Sequence, residues 1–131
     1  MEHSIENQAR NILRQLQGSE PRIQALAWVD RAGQVVTALF EAGNQDRVGA
    51  MSASLLALSA AASREVALGP LHQVILNGAQ GTMLLTGTGK DHVLLIAADT
   101  KINLGRLLLH AQSVGNRLAA LAQQPAAPVL A

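Results

Sequence analysis

Apolar positions along this chain alternate between helical and extended spacing, and that alternation predicts eight elements. Ile5, Ala9, Ile12, Leu13 and Leu16 recur at helical intervals among Glu, Gln, Asn and Arg, the mark of an amphipathic first helix. Ser4, with Asn7 just beyond, starts it, and Gly18 and Pro21 stop it. Arg22 to Asp30 then reads as a strand, with Ile23, Ala25, Ala27 and Val29 on one face and Leu26 and Trp28 on the other. Two apolar faces imply cover on both sides. Asp30 to Gly33 is a tight turn with Gly33 at positive φ. Gln34 to Leu39 is the returning strand, and a polar loop, Glu41 to Gln45, leads to Asp46, the expected N-cap of a second helix.

That second helix is apolar almost all the way round. Val48, Met51, Leu55, Leu58, Ala62 and Val66 form one stripe of mostly large side chains. Most of the remaining circumference is Gly, Ala and Ser. A lone surface helix needs one apolar face, so the large stripe is expected on the chain's own core. The small face is then free for a second helix or another protein, because small residues let a backbone come close. The alternative is a helix wholly buried within one domain.

The helix is expected to end near Leu68, Gly69 and Pro70. Three strands follow: Leu71 to Leu76, Thr82 to Thr86 and His92 to Ala98. They are joined by two short Gly-rich connections, Asn77 to Gly81 and Gly87 to Asp91. Such connections are hairpins, so the sheet is antiparallel there. From Asn103, the positions Leu104, Leu107, Leu108, Ala111, Val114, Leu118 and Leu121 make a long final helix. The order α-β-β-α-β-β-β-α predicts an α+β fold, a five-stranded antiparallel sheet sandwiched by helices. A single domain is expected over residues 1–122, with a flexible Pro/Ala tail over 123–131.

Composition narrows the function. With one Trp, one Phe and no Tyr, the core must be aliphatic and no aromatic platform exists for nucleic-acid bases. A formal charge of +1 gives no electrostatic case for nucleic acid either. The absence of cysteine removes disulfides, thiolate catalysis and zinc–sulfur sites, and fits a reducing, cytoplasmic setting. The polar N-terminus has no signal-peptide core, and no apolar run approaches a membrane span.

Catalytic motifs fail when tested. Gly87-Thr88-Gly89-Lys90 invites comparison with a phosphate-binding loop, but the first glycine of that motif would have to be Leu84 and Asp91 follows the lysine. The stretch also joins two strands, where a phosphate loop needs a helix N-terminus. The bland reading is a solvated hairpin turn. His3, His72, His92 and His110 are scattered without a ligand partner at helical spacing, and read as surface or edge residues. No Gly-x-Ser-x-Gly elbow accompanies the serines. Glu65, Asp91 and Asp99 stand alone beside turns and helix ends, where capping or solubility explains them. Asn103 is explained as an N-cap, with Gly105 easing close approach in the next turn. No catalytic residue, cofactor or metal is expected.

Taken together, several segments resemble a known family. Trp28 to Val36 is similar to its first hairpin, Met51 to Leu58 to its central helix, Val74 to Ile96 to its last three strands and Asn103 to Leu109 to its final helix. This is the Roadblock/dynein-light-chain family, and the chain looks most like its prokaryotic MglB type. The resemblance implies homodimers or heterodimers in which two central helices lie side by side and a strand from each subunit joins the sheets. It also implies regulation or scaffolding of small Ras-like GTPases, in some members by stimulating GTP hydrolysis in the partner. It supplies no catalytic residue.

Two flanks of the central helix then become candidate contacts. Ala50, Ser54, Ala57 and Ala61 would meet a second copy, because a two-fold axis lets one patch meet itself. With Met51, Leu55 and Leu58 on the sheet, an outward strip of Gly49, Ala53, Leu56, Ala60 and Ser63, flanked by Arg64, would receive the GTPase. The competing functions are a small-ligand sensor, for which Thr37 and Thr82 are the few buried polar candidates, and a purely structural adaptor. The failed phosphate loop yields a first expectation. Calorimetry of the purified chain with GTP or ATP and magnesium should be silent, and micromolar binding would contradict this reading.

Overall fold

A computed structural model describes residues 4–40 and 43–123. The elements are α1 (Ile5–Ser19), β1 (Ile23–Asp30), β2 (Val35–Leu39), α2 (Gln45–Glu65), β3 (Gln73–Gly78), β4 (Gly81–Thr88), β5 (His92–Asp99) and α3 (Leu104–Ala122), in the expected order. The five strands form one antiparallel sheet, ordered β2-β1-β5-β4-β3. The chain from residue 124 onward, where the Pro/Ala tail was expected, lies outside the described residues, as do His3 and Glu41.

The layer formed by α1 and α3 is the thick one. Ala9, Leu13 and Leu16 of α1 and Leu107, Ala111, Val114, Leu118 and Leu121 of α3 bury themselves against Leu26, Trp28, Leu84, Leu94 and Ile96 of the strands. Trp28 is fully buried, and its Nε1 donates to Thr88 Oγ1 at 2.8 Å. His92 stacks on the indole with ring centroids 4.4 Å apart; it was expected at an edge and is instead half-buried. Glu20 is also buried. It accepts from Arg106 Nε at 2.8 Å and lies 3.3 Å from His110 Nε2, tying the end of α1 to the start of α3.

Some local signals were displaced. Ile23 joins the Leu26 and Trp28 face, because a break in register between Ile23 and Ala25 moves it across the sheet. Asn44, not Asp46, caps α2, its side chain accepting from Arg47 N at 3.1 Å. Ser4 and Asn103 cap α1 and α3 as expected. The end of α2 comes at Glu65, before Gly69. Leu68 N donates to Ser63 O at 2.8 Å and Ala67 N to Arg64 O at 3.1 Å. Those two bonds close the C-terminus with Ala67 in the left-handed region, φ 59°.

The main correction concerns α2. Gly49, Ser52 and Ser63 are its buried residues, whereas Met51, Leu58 and Val66 are 56%, 69% and 64% exposed. The helix is rotated from the expected position: Gly49, Ser52 and Ser63 face the sheet, Met51, Leu58 and Val66 of the large stripe face out, and Ala50, Ser54, Ala57 and Ala61 stay outward beside them. The cause is a close backbone approach. The β1–β2 turn passes beneath α2, with Gly33 at φ 91° and its N–H donating to Asp30 O at 3.0 Å. A Cβ at Gly49 would stand 2.4 Å from Gly33 O and 2.9 Å from Val35 Cγ2. Only glycine lets the helix sit this low, and the side chains around it must be small. The core under α2 is correspondingly thin. Its buried members, Ala27, Val29, Ala38, Leu85, Val93 and Leu95, all come from strands, while Val48, Leu55 and Leu56 of α2 are half-buried.

Two glycine substitutions should therefore act in opposite directions. Gly49→Ala forces a methyl into the Gly33 backbone and should cost about 1–3 kcal/mol, outweighing the better helix propensity. Gly18→Ala, in α1 with open space around it, should stabilise by up to about 1 kcal/mol. Urea midpoints at equal protein concentration check both, and a stabilising Gly49→Ala would refute the close approach.

Candidate interaction face

The site candidates all lie on α2. At 100° per residue, the strip Gly49, Ala53, Leu56, Ala60 and Ser63 is centred about 130° from the stripe of large residues. The strip turns towards the sheet, so the outward arc holds the rest. Ala50, Ser54, Ala57 and Ala61 are all exposed, and Met51 and Leu58 lie beside them. A shallow hollow lined by Ala50, Met51, Ser54, Leu55 and Leu58 marks the middle of this arc. The outward face is thus more apolar than anticipated, because it gains large side chains that were expected in the core. Contiguous exposed apolar surface of this kind marks contact with another macromolecule.

The strip proposed for a GTPase is split. Gly49 and Ser63 are buried beneath the helix, and Ser63 Oγ donates to Gly69 O at 2.7 Å. They cannot belong to an outer surface. Ala53, Leu56 and Ala60 are half-buried and, with exposed Ala57 and Arg64, line one wall of a groove of ≈ 490 Å³. The other wall is formed by Arg31, Leu71, His72, Gly87 and Gly89, with Val93 also lining it. The side chain of Arg31 donates through Nε to the carbonyl of Lys90, which anchors it on the β4–β5 turn. The expected hairpin connection is shorter than read from the sequence: Gly87 and Thr88 are the last residues of β4, Gly89 to Asp91 make the turn, and Gly87 and Gly89 line one wall of a groove. Arg31 and Arg64 make no ion pair among the described residues.

A second exposed feature adjoins α2 at the far side of the sheet. β3 is an edge strand; Ile75 and Leu76 are 39% and 46% exposed, and Gln73, Asn77 and Gly78 are exposed too. A strand edge carries unpaired N–H and C=O groups that another strand can satisfy. Periodicity reveals β3 but not that it lies at an edge, since strand order follows from tertiary packing. The one sequence signal for the orientation of α2 was Gly49, a glycine inside a helix, which usually marks close approach.

Thr37 and Thr82, the polar candidates for a sensor pocket, are already engaged. Thr37 Oγ1 accepts from Arg10 Nη1 at 3.3 Å, and Thr82 Oγ1 donates to Asn77 Oδ1 at 2.9 Å. Among the described residues no buried side-chain N or O lacks a partner, no cluster of His, Asp and Glu could hold a metal, and no helix is long and apolar enough to cross a membrane.

Known proteins share this fold. The sequence matches the Roadblock/LC7 domain over residues 10–98. No curated protein matches it in sequence. Three solved MglB structures superpose on 94% of the chain. One, described as MglB with a tetrameric arrangement, has a TM-score of 0.84 at 17% identity over 93% of its own length. The gliding protein MglB from Thermus thermophilus gives 0.83 at 16% over 94%. Myxococcus xanthus MglB gives 0.82 at 15% over 93%. At these identities the likeness is one of fold.

Proposed function

Since the chain belongs to the Roadblock/LC7 family, we propose that it is a homodimeric, non-catalytic module that binds and regulates a small Ras-like GTPase in the cytoplasm. The observation that carries this reading is the outward apolar face of α2. Met51 and Leu58 stand in solvent beside exposed Ala50, Ser54 and Ala61, so the apolar surface there is continuous along one helix face. A second copy covers that face most economically, with Ala50, Ser54 and Ala61 admitting the twin helix between the larger side chains. Ala57 lies at the border between this contact and the groove.

Area sets a further requirement. A helix of 21 residues is about 31 Å long. A strip of that length and roughly one helix diameter wide, ~10 Å, falls well short of the ~800 Å² per partner typical of stable complexes. Edge pairing through β3 supplies the remainder, and it continues the sheet of one subunit into the other.

The groove walled by Ala53, Ala57, Ala60, Arg64 and Arg31 is the surface left for the GTPase. It is shallow and weakly apolar with a cationic rim, which suits a protein better than a small molecule. A docked GTPase responds through switch loops that sense the γ-phosphate. Stimulation of hydrolysis, where it occurs, would act by positioning the partner's own catalytic groups. A structural adaptor would bind with no regard to the nucleotide.

The test is a pull-down of candidate small GTPases from the source organism, loaded with GTP analogue or GDP. Wild type should bind one of them in a nucleotide-dependent way. The double variant Arg31→Glu with Arg64→Glu should lose at least about tenfold in affinity, roughly 1.4 kcal/mol, while keeping its oligomeric mass. These exposed positions are better probes than Leu56, whose partial burial would confound a fold defect with a binding defect. Binding by the variant equal to wild type would refute the groove. Failure of every small GTPase to bind would refute the regulator.

A further inference from the structure

The two edges of the sheet are not equivalent, and the difference rests on Arg10. On β2, Thr37 and Leu39 are buried on the α1 face of the sheet and Ala38 on the α2 face, and Arg10 of α1 reaches round to the outer side of the strand. Its Nη1 donates to Ala38 O at 3.2 Å as well as to Thr37 Oγ1. In an antiparallel ladder the N–H and C=O of one residue point to the same side, so Ala38 turns both away from β1. The guanidinium thus fills a bonding position that an incoming strand would need. A cleft of ≈ 620 Å³ runs along this edge, lined by β2 from Val35 to Leu39 and flanked by α1 and the start of α2. The edge has room for a strand, and a charged side chain stands in it. At β3, among the described residues, the side-chain hydrogen bond to the strand comes from β4 (Thr82 to Asn77), not from a helix.

We propose that Arg10 guards the β2 edge and thereby confines self-association to one closed contact. The geometry of the alternatives explains why a guard is needed. The strands alternate in direction across β2-β1-β5-β4-β3, so β2 and β3 run the same way. Pairing of β3 with β3 of a second copy about a two-fold axis is antiparallel and uses up both open edges. Pairing of β3 with β2 of the next copy is parallel, slightly weaker per residue, and leaves an edge free at each end. Such a head-to-tail contact propagates into a filament. A cation placed on one edge blocks this route, in the way natural sheets protect their edges.

The inference builds on the reading that β3 and α2 carry the homodimer contact. The wild-type mass in solution tests that reading, and the difference between variant and wild type tests the guard. Arg10→Met keeps the aliphatic stem and removes the donors. By sedimentation velocity across a concentration series it should form species with more than double the wild-type weight-average mass, growing with concentration. Hydrogen–deuterium exchange should show β2 amides newly protected in those species. Arg10→Lys, which keeps a cation near the edge, should restore the wild-type distribution. Thr37→Val, which removes one of the two acceptors that hold the guanidinium while leaving α1 intact, should give a smaller shift in the same direction and serves if Arg10→Met fails to fold. Unchanged mass in the folded variants, or larger species whose β2 amides stay unprotected, would overturn the proposal.

Discussion

The close contact between the backbones of Gly33 and Gly49 determines how this molecule presents itself. It lets α2 sit low on the sheet, and it fixes the rotation of the helix about its own axis. Every residue of α2 is assigned to a side by that single approach. Gly49, Ser52 and Ser63 go beneath, and Met51 and Leu58 go out. A side chain at Gly49 could not be accommodated without moving the hairpin, because the obstacle is a carbonyl oxygen and not the end of a flexible side chain.

The consequence is a domain with one thick core and one thin one. Between the sheet and the α1–α3 layer lie Trp28, its bond to Thr88 and the long aliphatic faces of two helices. Beneath α2 the contributions are small, and the helix is covered on one side only. In the isolated subunit α2 is therefore the least anchored helix, and it also carries the exposed apolar surface. On the proposed reading, stability and function draw on the same feature: the residues that leave α2 weakly held by its own subunit are those that would bind a second copy. The β-sheet edges follow the same logic, one closed by Arg10 and one open at β3.

Most of the fold was legible in the sequence. Helical spacing in α1 and α3, alternation in β1 and the Gly-rich hairpins each depend on contacts near in sequence, and each was read at nearly its true position. The orientation of α2 was not legible, because a helix built of Ala, Ser, Gly and Leu has no polar face to point at water. Hydrophobicity favoured large residues inside, whereas the tight approach at Gly33 favoured small ones, and sterics prevailed. Asn44 displaced Asp46 as the cap and Ala67 took a left-handed conformation without glycine, shifts of one or two residues that propensity does not resolve. The parts of the site contributed by Arg31, Arg10 and the β3 edge join residues distant in the chain, so no local pattern could have announced them. Of the residues singled out for contact, Ala50, Ser54, Ala57 and Ala61 are exposed, while Gly49 and Ser63 are buried.

The central claim is that the outward face of α2 meets its own copy across a two-fold axis. The chain has no cysteine, so single cysteines can be placed without background. Cysteines introduced one at a time at Ala50, Ser54, Leu58 and Ala61 should be oxidised under mild conditions. A disulfide forms only where two Cα atoms come within about 7 Å, which on a symmetric helix pair happens near the axis. The account predicts a covalent dimer at one or two of these four positions, and none with a cysteine at exposed Gln112 on α3. Absence of cross-linking at all four, or equal cross-linking at Gln112, would contradict it.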